Sequence, residues 1–329
     1  MPPLPVDEYH VGIICALLTE RAAARAILDE EHGMFLDKDT QDQNTYFAGR
    51  IHKHNVVIAC LPAGVDGTTA AAIIANDMVR TFKGLRFGLM VGIGGGIPNL
   101  DKGNDIRLGD VVVSQPAGTA GGVIQYDKIK SLDGGKSQRK GFLNAPPSAL
   151  LTALNALRAD HESEDSKVPT YLTEMFQRKP KLRTNRYTFP GTDRDHLYQA
   201  EYHHIVGNAT CDQCDKAHEV YRPSRGSTEP QIHYGIIASG NQVVKDAAVR
   251  DLLRDVRGAL CVEMEAAGLM NNFPCLIVRG ICDYADSHKN DAWHKYAAMT
   301  AAAYTKELLL YVSAEQTSNE KPINQVLGE

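Results

Sequence analysis

Positive charge is in short supply in this sequence: 35 Lys and Arg stand against 40 Asp and Glu, for a net charge of −5. That balance excludes a polybasic groove for nucleic acid and a basic patch for an anionic membrane surface, both of which depend on clustered cations. No apolar run approaches the roughly 20 residues of a membrane-spanning helix. The opening stretch MPPLPVDEYH lacks a basic flank and an apolar core, so no secretory signal is expected. Cysteines number seven, and Cys15, Cys60, Cys261 and Cys275 lie in apolar stretches. An odd, scattered set reads as reduced core thiols of a cytoplasmic protein rather than a disulfide framework. Two familiar motifs are incomplete. CDQC (Cys211–Cys214), with His203, His204 and His218 nearby, leaves zinc or a disulfide open but lacks the second C-x-x-C that makes such a motif specific, so no metal is expected. In VGIGGGIPNL the third glycine of G-x-G-x-x-G falls on Ile97 and Pro98 follows, which argues against a dinucleotide site.

What is present is 329 residues, 43% hydrophobic, enough for a large core. HVGIICAL (His10–Leu17) reads as a buried strand, and LTERAAARAILDEE as a helix with an acidic end. TYFAGRIHKHNVVIACLPAG reads as a hairpin around His52–Asn55, followed by a helix over Thr68–Phe82. FGLMVGIGGGIP is a strand running into glycines, and RLGDVVVSQ is another strand. PPSALLTALNALRAD opens with prolines suited to a first helical turn. Between about 161 and 229 the composition turns polar, with little periodicity, and reads as one long irregular insertion. Order returns with IHYGIIASG (strand), DAAVRDLLRDV (helix), EMEAAGLMNNF (helix), PCLIVRGICD (strand) and a closing helix, AAMTAAAYTKELLLYV. Alternating strands and helices predict a three-layer αβα fold with one domain over 1–313, and 314–329 is expected to be disordered. In such sheets ligands gather at the carboxyl ends of strands.

Three constellations fall at those ends. Gly94–Gly96 either make a tight turn or let the backbone approach a flat ligand. Glu263 and Glu265 are two apart beside Met264, either as acids at a helix start or as a carboxylate pair sharing the face of an extended chain. Arg279 sits inside an apolar strand that ends at Asp283, and a charge in such a run is rarely present without a partner. Glu20 follows the first strand at the start of its helix, where an acid is commonly a helix-end residue.

Together these residues resemble the purine nucleoside phosphorylase and methylthioadenosine/S-adenosylhomocysteine nucleosidase superfamily. The likeness covers Val11–Gly118 and His233–Val312, and LGDVVVSQPAGTAGGVIQYD with a large insertion before IHYGIIASGNQV is similar to its fungal branch. The resemblance implies a central mixed sheet wrapped by helices, and a purine nucleosidase that needs no cofactor. By that resemblance Asp283 is the acid that protonates the leaving base, Glu20 and Arg279 hold the attacking water, and Met264–Glu265 bind the ribose. Glu263, Gly94 and Gly95 would line the site. Phosphate is the alternative nucleophile, but a carboxylate at Glu20 would repel a dianion by several kcal/mol. A nucleoside-sensing module without turnover is a further alternative. The sequence departs from the pattern at Cys282, where serine is common, and in SGNQVV, where Asn241 and Val243 replace an aspartate and a stacking aromatic. Tyr126 and Phe189 are therefore candidates for contacting the base. Asp66, in PAGVDGTT, either faces the ribose 5′ end, favouring a 5′-hydroxyl over a methylthio group, or caps the following helix. A homodimer is expected, with no nucleic acid or membrane partner.

Overall fold

The computed structural model describes residues 2–35, 38–133, 137–205 and 207–326. Its elements, in order, are β1 (Val11–Cys15), α1 (Leu18–Ala26), β2 (Glu30–Phe35), β3 (Tyr46–Ile51), β4 (His54–Cys60), α2 (Thr68–Thr81), β5 (Phe87–Gly96), β6 (Val111–Ser114), β7 (Val123–Gln125), β8 (Ile129–Ser131) and β9 (Ser137–Arg139). There follow α3 (Ser148–Asp160), α4 (Val168–Arg178), α5 (Lys181–Thr184), β10 (Ile232–Ser239), α6 (Ala247–Arg257), β11 (Ala259–Glu263), β12 (Cys275–Asp283), α7 (His294–Leu310), α8 (Ala314–Asn319) and α9 (Ile323–Val326). Among the described residues no helix is long and apolar enough to cross a membrane.

The main sheet is mixed, in the order β11-β10-β6-β12-β5-β1-β4-β3-β2, with β7 beside β10. Strand β11 also pairs antiparallel with β5, through Cys261 opposite Gly96 and Val262 opposite Gly95. Strands β5, β12, β6, β10 and β11 thereby close into a ring, and the carboxyl ends of β5, β11 and β12 meet. Period-two alternation sorts the strand side chains into two cores. Val11, Ile13, Phe87, Leu89, Val91, Leu276 and Val278 face a layer built by α1, α3, α4 and α7. Ile14, Met90, Ile277 and Ile281 face α2 and Phe82.

Helix α7 is buried from Tyr296 through Leu309, which is possible only because other helices cover its outer side. Its two buried charges are paired. Lys306 Nζ lies 2.6 Å from Asp29 Oδ1, and Glu307 accepts from Ser166 Oγ at 2.7 Å and Lys167 N at 2.6 Å. The last two tie the 161–229 segment to the core. That segment is more ordered than expected. In α4 the residues Val168, Tyr171, Leu172, Met175 and Phe176 repeat at helical spacing and are all buried.

Three other expectations are corrected. The first helix stops at Ala26, and Glu30 and Glu31 open an edge strand against β3. EMEAAGLMNNF is not a helix: Glu263 ends β11 in register with Ser239, and its carboxylate takes the N–H groups of Glu265 and Ala266. Only a single 3₁₀ turn over Ala266–Gly268 follows, with Gly268 close against the Thr68 backbone. Residues 314–326 carry α8 and α9, anchored by buried Ile323, whose N–H donates to the Leu85 carbonyl at 2.8 Å.

Strand β12 packs directly under α7 at Gly280, where a Cβ would stand 1.8 Å from the Ala297 carbonyl oxygen. Backbone cannot yield there as a flexible side chain can. Gly280→Ala is therefore expected to lose about 3 kcal/mol or more, read as a lowered urea midpoint. An unchanged midpoint would contradict this packing.

Candidate active site

The register of three strands assembles the site. Arg279 pairs across β12 and β5 with Gly92, and the pairing shifts between Ile281 and Asp283, so that Asp283 comes opposite Gly95. This irregularity re-aims the strand end beside the site. Gly92–Gly96 all lie within β5 and none has positive φ, so they are strand residues and not a tight turn.

Arg279 is fully buried. Its Nη2 donates to Glu263 Oε2 in a short contact, reaches Glu265 Oε2 at 3.5 Å and lies 3.1 Å from Met90 Sδ. Its Nε is buried without a hydrogen-bond partner. Gly92 makes the approach possible: a Cβ there would meet Arg279 Nη1 at 2.3 Å and Glu20 Oε1 at 2.5 Å. Glu20, buried in the first turn of α1, accepts from the N–H groups of Ala16 at 2.6 Å, Leu17 at 2.9 Å and Ile93 at 2.8 Å. Burial raises its pKa above the ordinary carboxylate value, against the lowering pull of Arg279. Glu265 accepts from Gly67 N at 3.3 Å, and burial pushes it up to about 7.

A cavity of about 130 Å³ opens over these groups. Glu20, Gly94, Gly95, Glu263, Met264 and Glu265 line it, as do Asp66 and Val243, both exposed at its edge. Most of the expected residues therefore converge. Glu263, however, has its oxygens occupied by Arg279 and by the N–H groups of Glu265 and Ala266, so it serves to hold the arginine. Asp66 does not cap α2. That role falls to Asn241, whose Oδ1 accepts from Thr68 N and Oγ1 at 3.0 Å, and Asn241 does not line the cavity.

Neither expected aromatic reaches it. Tyr126 packs against Gly240 and donates to the Gln242 carbonyl at 3.0 Å. Phe189 packs edge-on against Trp293 and Tyr296 in a larger cavity of about 510 Å³. The arginines of that larger space are already spent on aspartates, Arg222 on Asp195 at 3.1 Å and Arg225 on Asp110 at 2.8 Å. The smaller cavity, with its convergent buried carboxylates, is the candidate site.

Asp283 is buried, and its Oδ1 accepts from Ala285 N at 2.8 Å. The Cys282 thiol lies 3.0 Å from Oδ2, so the contact to Asp283 is present at the position where serine is common. Lys289 Nζ stands 3.1 Å from the same oxygen. Asp283 is not itself among the groups lining the 130 Å³ cavity, but Cys282, Lys289 and His294 are. Lys289 and His294 went unnoticed in the sequence, because polar residues after a strand look like any solvated loop. Cys282, Asp283 and His294 could together surround a cation, but the Lys289 ammonium against Asp283 opposes one. Asp286 is engaged elsewhere, 3.3 Å from Arg250.

A family model described as the phosphorylase superfamily matches residues 10–312. The chain belongs to that superfamily. It is 48% identical over 314 residues to a nucleotide-binding leucine-rich repeat (NLR)-like protein of Hyaloscypha variabilis, covering 95% of this chain and 30% of that one. Over 79 residues it is 42% identical to the ATP nucleosidase Cap17 of Escherichia coli, covering 22% of this chain and 16% of the other. It thus spans under a third of the length of either relative. Among solved structures, the 5'-methylthioadenosine/S-adenosyl homocysteine nucleosidase of Helicobacter pylori, complexed with a substituted pyrrolidin-3-ol, superposes with a TM-score of 0.57 at 16% identity. That match covers 92% of this chain and 98% of the other, and it is a likeness of fold.

Removing Glu263 would leave a buried guanidinium short of its nearest counter-charge. Glu263→Leu is expected to cost about 3–5 kcal/mol of stability, measured by urea unfolding. A loss below about 1 kcal/mol would mean that the pair does not hold the site together.

Proposed function

We propose that this chain hydrolyses the N-glycosidic bond of purine nucleosides, releasing base and ribose without a cofactor. The observation that carries the reading is that Glu20 and Glu265 line one cavity with Met264 in its wall, both beside the fully buried Arg279, which does not itself line it. Glu20 takes a proton from a water in the cavity, and a carboxylate whose basicity is raised by burial suits that task. Arg279, expected to hold that water, is shut off from the cavity and instead counters the charge of the carboxylates from behind. Glu265 accepts the ribose hydroxyls, and Met264 covers the sugar. The Asp283–Lys289 pair delivers a proton to the leaving base, with Asp283 as the acid and the Cys282 thiol orienting it. Water is favoured over phosphate because Glu20 already occupies the Ile93 N–H that an anion would use, and because it repels a dianion by several kcal/mol.

Exposed Leu17, Leu18, Val65 and Val243 stand at or next to the cavity mouth. A second copy of the chain covering them would close the sugar pocket, which supports a homodimer.

A second reading has its own support in the likeness to the NLR-like protein, of which this chain spans 30%. There the domain would be one module of a longer protein, binding a nucleoside without turning it over.

One assay separates these readings. The protein is incubated in phosphate-free buffer with adenosine, inosine, guanosine, 5′-methylthioadenosine and ATP, the last chosen for the E. coli relative's name. Free base and reducing sugar are expected, with adenosine ahead of 5′-methylthioadenosine in kcat/KM if Asp66 meets the 5′ end. Ribose 1-phosphate formed only on adding phosphate would establish phosphorolysis, and tight binding of intact nucleoside over hours would establish the sensor. Asp283→Asn should lower turnover about 10²–10⁴-fold. Near-normal activity there, with loss in Lys289→Met, would make the lysine the acid.

A further inference from the structure

The C-x-x-C motif has no role in the cavity just described, yet the fold supplies what the sequence left missing. The segment between α5 and β10 turns back on itself so that the ligand atoms of His204, Cys211 and Cys214 all lie within 4.8 Å of one another. Cys214 N donates to the Cys211 carbonyl at 2.9 Å, the tight turn that brings the two sulfurs together, and both are free thiols. One ring nitrogen of His204 is held by the Thr210 carbonyl at 3.0 Å. That contact fixes the imidazole tautomer and leaves the other nitrogen as a lone-pair donor, the usual outer-shell support of a metal-bound histidine. His203 is exposed, and the His218 ring stacks on Tyr202 at 4.4 Å, so neither joins the group.

The observation that points to a ligand is His288. Its side chain is only 5% exposed, and both ring nitrogens are buried without a hydrogen-bond partner. A buried imidazole with neither nitrogen satisfied is costly, and natural structures rarely keep one without a reason. Its ring lies 5.5 Å from that of His204, centroid to centroid, and Cys211 Sγ lies 3.8 Å from its carbonyl oxygen. Asp286 Oδ1 stands 3.6 Å from Nδ1, beyond hydrogen-bond range but on the side where a carboxylate supports a metal-bound imidazole.

We propose that His204, Cys211 and Cys214 bind one zinc ion, with a turn of the His288 ring bringing in the fourth ligand. Two thiolates and two imidazoles suit tetrahedral zinc, and binding releases the two thiol protons. With four protein ligands and no open position, the ion is structural. It clamps the long segment onto the loop that also receives the His204 N–H at Ser287 Oγ, 3.0 Å away. That loop leads directly to Lys289 and so fixes the ammonium beside Asp283.

The test uses the full chain purified without chelator, with metal content measured by mass spectrometry and the intact mass recorded. About one zinc per chain is expected, falling below a tenth in Cys211→Ser/Cys214→Ser. His288→Ala is expected to weaken zinc binding at least tenfold. Because the double variant can fail to fold, the wild type is also stripped and reloaded with cobalt(II). Thiolate-to-cobalt charge transfer and intense visible bands then report a tetrahedral site. A zinc-free wild type with no tetrahedral cobalt spectrum would overturn the proposal, as would a native mass two hydrogens short from a Cys211–Cys214 disulfide. Full affinity in His288→Ala would overturn the fourth ligand. None of these readouts depends on glycosidic activity.

Discussion

A fully buried arginine governs this molecule. Arg279 sits in the middle of an apolar strand, out of water, and a lone guanidinium there would cost far more than a domain's net stability. Three carboxylates answer it, those of Glu263, Glu265 and Glu20. They hold its pKa above the ordinary value, but one cation cannot neutralise three anions. Glu263 takes the closest contact, while Glu20 and Glu265 keep pKa values above their ordinary range. Burial is the main cause for both, with the neighbouring carboxylates adding to it at Glu265, and two perturbed carboxylates are left over one cavity, as is common at functional sites.

The topology follows from holding that cluster. The ring closes only because β11 crosses back to β5, which delivers Glu263 and Glu265 to the end of β12. Gly92 leaves room for Arg279 Nη1 and Glu20 Oε1, and Gly280 lets α7 lie flush on the strand behind. The 161–229 segment, far from being a bystander, covers α7 with α4 and reaches the loop before Lys289 with His204. Fold, cavity and insertion are coupled through two strand ends and one loop.

Much of this was legible in the sequence, for physical reasons. Continuous apolar runs marked β1, β4, β5 and β12, and Arg279 stood out because charge is so costly in such a run. The family resemblance pointed to Glu20 and Glu265, which line the cavity, and to Asp283, which lies just outside its lining. The misses have equally specific causes. β2 was hidden because its acidic residues continue a helical pattern, and an edge strand tolerates charge. The helical propensity of EMEAAGLMNNF lost to long-range contacts, Glu263 with β10 and Gly268 against the Thr68 backbone. The spacing of Val168, Tyr171, Leu172, Met175 and Phe176 was a readable helix signal masked by polar surroundings. Tyr126 and Phe189 were candidates to stand in for a missing stacking aromatic and Asn241 stood where the family has an aspartate; long-range packing placed all three elsewhere. Lys289 and His294 carried no local pattern at all. Only the turn after β12 brings them to the cavity.

In the proposed reaction Glu20, buried beside Arg279, activates water rather than merely capping α1. The most direct measurement compares Glu20→Gln with wild type in nucleoside binding by calorimetry and in turnover. The amide keeps the size and part of the hydrogen bonding but cannot take a proton. Nucleoside affinity should stay within a few-fold, while turnover falls about 10²–10⁴-fold. Turnover close to wild type in a folded Glu20→Gln protein would contradict the account.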